Sequence, residues 1–192
     1  MNKAADIETL ATRVVYENRW MRVREDSIRR WDGSDGVYGV VEKPDFALIV
    51  PLAEDGGLWV VEQFRYPVGE RFCEFPQGSW EDRPNTDPEL VARSELREET
   101  GLQAGSLRRL GHLYEAYGFS NQGFDVWLAT GLREGPADRS PEEQGMRARK
   151  LDRGEWHAMI ADGRVKDAPS VAAYGLLLLE EASGPGAAGD AG

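Results

Sequence analysis

The sequence predicts an α+β fold, a mixed β-sheet flanked by helices, on three observations. Short apolar runs bounded by Gly, Pro and Asp clusters recur along the chain, the spacing expected of strands. The segment from Asp87 to Gly101 carries the signals of both ends of a helix. Two later stretches, residues 155–160 and 170–180, read as further helices. Strands and helices mixed in this way pack as layers around a shared sheet.

Taken in order, Val14-Val15-Tyr16 and the run from Met21 to Ile28 alternate enough to form strands. Asp32-Gly33-Ser34-Asp35-Gly36 is a turn cluster, and Val37 to Val41 is the strand after it. Ala47 to Leu52 is a short continuous apolar run, consistent with a buried strand ended by proline. Glu54-Asp55-Gly56-Gly57 turns the chain, so Leu58 to Tyr66 is expected to pair back as a hairpin. Phe72 to Phe75 is a short strand leading into Pro76-Gln77-Gly78. Asp87 suits an N-cap, Pro88 the first helical position and Gly101 the C′ position, so a helix runs to about Thr100. Leu107 to Tyr114 and Gly123 to Ala129 read as strands. Arg133 to Arg149 is polar and expected to be a mobile loop, and Gly184 to Gly192 a flexible tail.

Composition narrows the function. The chain has 192 residues, 41% of them hydrophobic, with six Trp, six Tyr and six Phe, enough for a sizeable core. Its net charge of −11 argues against nucleic acid as a partner, which needs a basic footprint. An anionic substrate would have to be met by a metal or by a few placed cations. No apolar run is long enough to span a bilayer, and residues 1–6 lack the apolar centre of a signal peptide. Cys73 is the single cysteine, so a disulfide framework and a cysteine zinc site are both excluded. A cytoplasmic protein with no membrane partner is expected.

Glu95, Glu98 and Glu99 are the most informative residues. Their spacing puts three like charges on one side of a helix, where they repel and weaken it. A fold gains nothing from that repulsion, but a hard divalent cation takes carboxylate oxygens together with those of a phosphate. A solvated acidic face is the alternative.

Gly78, a loop, and then a helix bearing Glu95, Leu96, Glu98, Glu99, Gly101 and Leu102 resemble the Nudix box. Val50-Pro51-Leu52, residues 61–66 and residues 74–78 look like the strands preceding that box in ADP-ribose pyrophosphatases. Residues 162–173 look like that group's entry to its C-terminal helix. The likeness implies a Nudix-like α/β/α sandwich at residues 45–183. Residues 1–44 would be an antiparallel accessory sheet that forms a homodimer, and residues 184–192 a tail. It implies Mg²⁺-dependent (or Mn²⁺-dependent) cleavage of the diphosphate in ADP-ribose or a related nucleotide sugar, giving a nucleoside monophosphate and a sugar phosphate. The metal ligands would be Glu95, Glu98, Glu99 and the carbonyl of Gln77. Glu98 and Glu99 would also act in catalysis, with Glu98 either a ligand or the holder of the attacking water.

The chain departs from the family pattern at three places. The spacing from Gly78 to the helix is two positions longer, and Thr86 occupies the place of the pattern's first Glu, with Glu81 and Glu89 nearby. Ser94 replaces the arginine that orients the box carboxylates, and Arg93 and Arg97 sit about 160° around the helix from Glu95, facing away. The segment Ser120-Asn121-Gln122 lacks the expected loop acid, leaving Glu115, Glu142 and Glu143 as substitutes; Glu143 is the catalytic candidate. These departures motivate the alternative of a nucleotide-binding or regulatory module with weakened turnover.

Arg65, Glu74 and Gly78 are the substrate-binding candidates. A guanidinium suits bidentate phosphate recognition, although a salt bridge would also use Arg65. Glu74 either supports the metal or belongs to a structural ion pair. Trp20, Trp31 and Tyr38 could stack a base, with burial in a core the prior expectation. His112 and His157 are expected to be packing or surface residues, and Cys73 a small buried hydrophobe.

Overall fold

The computed structural model describes residues 6–80, 86–138 and 145–183. Along them the chain forms β1 (Ile7–Glu17), β2 (Arg22–Arg30), β3 (Asp35–Glu42), β4 (Phe46–Pro51) and β5 (Leu58–Arg65). A 3₁₀ turn, Tyr66–Val68, leads to β6 (Glu70–Glu74) and β7 (Gln77–Gly78), then to helix α1 (Pro88–Thr100). There follow β8 (Leu102–Gln103), β9 (Ser106–Tyr114), β10 (Gly123–Thr130), β11 (Arg133–Glu134), β12 (Arg147–Leu151), α2 (Arg153–Ala161) and α3 (Ala168–Ser183).

The central mixed sheet has the order β7-β4-β10-β9, with β4 and β10 parallel and the outer pairs antiparallel. Its two central strands explain the layering, because both of their faces are apolar. Leu48 and Val50 of β4, with Phe124, Val126 and Leu128 of β10, pack against Trp156 and Met159 of α2 and Ala173, Tyr174 and Leu177 of α3. Ala47, Ile49, Trp127 and Ala129, on the opposite face, pack against Ala92 and Leu96 of α1. The result is the α/β/α sandwich expected from the sequence.

Two expectations about pairing are overturned. β5 does not fold back on β4 as a hairpin: a single bridge, Leu52 to Leu58, joins them beyond the turn at Ala53–Gly57. β5 instead forms a second sheet with β12 and β6. The tight turn was legible, but both edges of β4 are already taken by β10 and β7. The polar stretch 133–149 is also more ordered at its ends than a mobile loop. Arg133–Glu134 pairs with Leu102–Gln103, and Arg147–Leu151 is the edge of the second sheet.

The N-terminal strands form an antiparallel sheet, β1-β2-β3, in which β1 runs well beyond the expected residues 14–16 and is exposed along its whole length. Trp20, Trp31 and Tyr38 are not core residues; Trp31 is 86% exposed. This sheet is tied to the body by the segment between β9 and β10. The Val41 N–H donates to the Phe119 carbonyl, the Asn121 N–H to the Val41 carbonyl, and the Tyr38 hydroxyl to the Gly118 carbonyl.

Helix α1 begins and ends where its residues predict. The Asp87 carboxylate accepts from the Glu89 N–H at 3.0 Å, and Gly101 has φ 78° with its N–H donating to the Arg97 carbonyl. At α3 the Asp167 carboxylate accepts from the Ser170 N–H at 2.9 Å. The fully buried Ser170 hydroxyl in turn accepts from the Phe75 N–H at 2.8 Å. Ser170→Ala is expected to strand that N–H and cost about 1–3 kcal/mol, against about 1 kcal/mol for the exposed cap variant Asp87→Ala. Urea unfolding of the two variants checks the order; a smaller loss for Ser170→Ala would refute it.

Candidate functional site

The face of α1 that meets the sheet carries Ala92 and Leu96, and the same face turns Glu95 and Glu99 inward. They are 5% and 2% exposed, while Glu98, a step around the helix, is half-buried. Two buried carboxylates on one apolar helix face are costly unless something compensates them. β7 supplies part of it: the Gln77 N–H donates to Glu99 Oε2 at 3.2 Å. Gly78 lies against the Glu95 carboxylate so closely that a Cβ at this position would overlap it. The expected metal and glycine positions therefore come together at one place.

Ser94 takes part as well. Its hydroxyl donates to Glu98 Oε1 at 2.6 Å, one helical turn away, so a neutral donor steadies one carboxylate where a cation was expected. Arg93 and Arg97 face away as predicted. Arg93 pairs with Glu89 at 2.7 Å, and Arg97 approaches Asp138 at 3.7 Å. That pairing engages Glu89 outside the site, so it does not stand in for the missing first Glu. Glu81, Glu142 and Glu143 lie outside the described residues.

Across the cleft, Glu74 ends β6 and is 1% exposed. Arg65 grips it through Nε at 3.0 Å and Nη2 at 2.5 Å, and the Gln63 side-chain amide donates to the same carboxylate. Burial pushes the Glu74 carboxyl above its ordinary value, and the Arg65 charge and hydrogen bonds only partly offset that. Burial alone would lower the Arg65 guanidinium, yet the carboxylates of Glu74, Asp167 and Glu99 raise it, holding the proton on. The structural ion pair left open for Glu74 is thus present, and its partner is Arg65. Asp167 joins the group by accepting from the Gln77 side-chain amide at 3.3 Å.

These groups line a cleft of about 850 Å³, whose wall includes Glu95, Glu98, Gln77, Gly78, Arg65 and Glu74. Sequence reasoning missed Lys43, Phe46, Phe72, Lys166 and the role of Asp167 on that wall. Only Asp167 carried a usable signal, an acid three residues before Ser170 in cap position. Glu115 lines the cleft too, whereas Ser120-Asn121-Gln122 is used structurally. Asn121 Oδ1 accepts from the Lys43 N–H, and the Gln122 side chain donates to the Pro44 carbonyl at 2.7 Å. His112 meets Asp125 at 3.1 Å and His157 meets the Tyr174 hydroxyl at 2.6 Å; both are packing contacts away from the cleft lining.

The donor set fits a hard divalent cation, since every candidate ligand is oxygen and the absence of a side chain at Gly78 lets the Glu95 carboxylate lie against the backbone of β7. Among the described residues no three His, Cys, Asp or Glu side chains close into a cage.

The comparisons follow the same lines. Residues 42–170 match the NUDIX domain, and residues 7–41 the nucleoside diphosphate sugar hydrolase N-terminal domain. The chain is 36% identical over 166 residues to the ADP-ribose pyrophosphatase of Mycobacterium tuberculosis, covering 81% of this chain and 80% of that protein. It is 25% identical over 183 residues to the methanol dehydrogenase activator of Bacillus methanolicus, covering 95% and 98%. A solved ADP compounds hydrolase has the same fold, with TM-score 0.82 at 19% identity over 96% of this chain and 99% of that one.

The Arg65–Glu74 pair generates a prediction. Arg65→Met leaves Glu74 buried without its counter-charge and is expected to cost about 1–3 kcal/mol, the low end of buried-pair losses because Arg65 is 41% exposed. A carboxyl with a raised folded-state value favours the fold when protonated, and that contribution is lost as pH rises through the folded value. The variant's melting temperature should therefore fall more steeply than wild type as pH rises from the ordinary carboxylate range toward neutrality. Parallel pH profiles would contradict the pairing argument.

Proposed function

Because the chain belongs to the Nudix family and is a Nudix hydrolase, we propose that it cleaves the diphosphate of a nucleoside diphosphate linked to a further group, ADP-ribose or a related nucleotide sugar. The products would be a nucleoside monophosphate and a sugar phosphate. The observation that carries the reading is the meeting of buried Glu95 and Glu99 with Gly78 and the Gln77 N–H at the cleft. ADP-ribose is favoured among substrates by the activity of the M. tuberculosis relative.

Glu95, Glu98, Glu99 and the Gln77 carbonyl would hold Mg²⁺, with Mn²⁺ the natural substitute. Bound there, the metal would neutralise diphosphate charge and lower the pKa of the attacking water. Glu99 is held in register by the Gln77 N–H, and Glu98 by Ser94, so both carboxylates are oriented before substrate arrives. Glu98 would be a third ligand or would hold the attacking water.

The exposed apolar residues of β1, Ile7, Leu10, Val14 and Val15, are the basis for a homodimer built through residues 1–44. Residues 45–183 would then be the catalytic unit, and residues 184–192 lie outside the described residues. No helix among the described residues is long and apolar enough to cross a membrane, and with the lone Cys73 a cytoplasmic site of action is proposed.

The decisive measurement is nucleotide release from a panel of nucleoside diphosphate sugars, ADP-ribose first, with Mg²⁺ and with chelator. Wild type should turn over only with metal, and Glu99→Gln should lose at least about 100-fold, at or beyond the outer-shell losses typical of metal sites. Saturable, metal-dependent ADP binding with no release from any substrate would instead favour a nucleotide-binding module with weakened turnover.

A further inference from the structure

Among the described residues acidic side chains outnumber basic ones where an anionic substrate must enter. Glu70, Glu74, Glu95, Glu98, Glu115 and Asp167 all line the cleft. A metal ion offsets part of that repulsion, but the outer phosphate oxygens still need cations from the wall. Among the described residues three basic side chains line it: Lys43, Arg65 and Lys166.

Arg65 is partly engaged already. Two of its nitrogens bond the Glu74 carboxylate, and turning them to a phosphate would strand a carboxylate that is 1% exposed. The lysines differ. Among the described residues neither forms an ion pair, and the Lys166 ammonium rests 5.4 Å from the centre of the Phe72 ring. That contact attracts the ammonium without neutralising it. Both backbones are fixed. The Lys43 N–H donates to Asn121 at 3.2 Å, and Lys166 sits between buried Val165 and Asp167, the cap of α3.

We propose that Lys43 and Lys166 are cations that receive the phosphate oxygens of the substrate, alongside an Arg65 that holds Glu74 through two of its nitrogens. The assignment rests on the hydrolase reading above and names the residues that give it affinity. Both lysines are mobile point charges rather than rigid forks, so they accommodate phosphates whose position varies with the group attached.

The test combines steady-state kinetics on ADP-ribose with ADP binding in Mg²⁺, read by the fluorescence of Trp20 and Trp80 on the cleft wall. The proteins are wild type, Lys43→Met, Lys166→Met, the double variant and Lys166→Arg. Each Met variant should raise KM and weaken ADP binding about tenfold, with the effect falling mainly on KM. The thermal midpoint should hold, and Lys166→Arg should recover most of the loss. A double variant with wild-type KM and ADP affinity overturns the assignment while leaving the hydrolase reading intact, as does a loss confined to kcat. Wild type that binds ADP through the lysines yet releases nothing from any substrate overturns the hydrolase reading instead. Neither turnover nor ADP binding by wild type overturns both.

Discussion

The interaction on which the rest depends is the burial of Glu95 and Glu99 against the bare backbone of Gln77 and Gly78. Carboxylates at 5% and 2% exposure stay in place only if the helix bearing them cannot rotate away from the sheet. Its rigidity comes from the apolar residues on the same face. Ala92 and Leu96 pack on Ala47, Ile49, Trp127 and Ala129, one face of a sheet whose other face is closed by α2 and α3. The two-sided burial of β4 and β10 is therefore what holds the acids to the cleft. A side chain at position 78 would undo this locally, since the space it needs is filled by the Glu95 carboxylate.

A second constraint joins the N-terminal sheet to the same cleft. Within the segment between β9 and β10, Ser120-Asn121-Gln122 lacks the acid that the family resemblance anticipates and spends its polar groups on hydrogen bonds to β3 and its exit. Asn121, Gln122 and the Gly123 N–H bond to Lys43, Pro44 and Asp45 in succession. Those contacts place Lys43 and Phe46 on the cleft wall, with Trp20 from the turn between β1 and β2 beside them. The accessory sheet is thus part of the cleft's construction. A substitution that loosened Asn121 would act on the cleft through the backbone, without touching a carboxylate.

Local signals in the sequence were sufficient for α1 and its caps, for the buried strand β4, and for the acidic face with Gly78. Each is specified by residues close together in the chain. Pairing was harder to read. The turn at residues 54–57 pointed to a β4–β5 hairpin, but the edges of β4 were claimed by β10 and β7 from distant parts of the chain. Trp31 and Tyr38 looked like core because aromatics usually are, and only the tertiary arrangement reveals a sheet with open faces. Lys43 and Lys166 carried no pattern at all, because an unpaired lysine in a cleft is indistinguishable in sequence from one on any surface.

The replacement of the expected arginine by Ser94 alters how the site balances its charge. A hydroxyl can orient Glu98, as its 2.6 Å hydrogen bond shows, but it brings no positive charge to the helix. The arginine on the facing strand β5, Arg65, is bonded to Glu74 of β6 instead, so its fork steadies a buried carboxylate of the second sheet. Ser94 therefore settles the direction of the Glu98 carboxylate and leaves its charge undiminished, which is the condition under which a bound cation gains most from it.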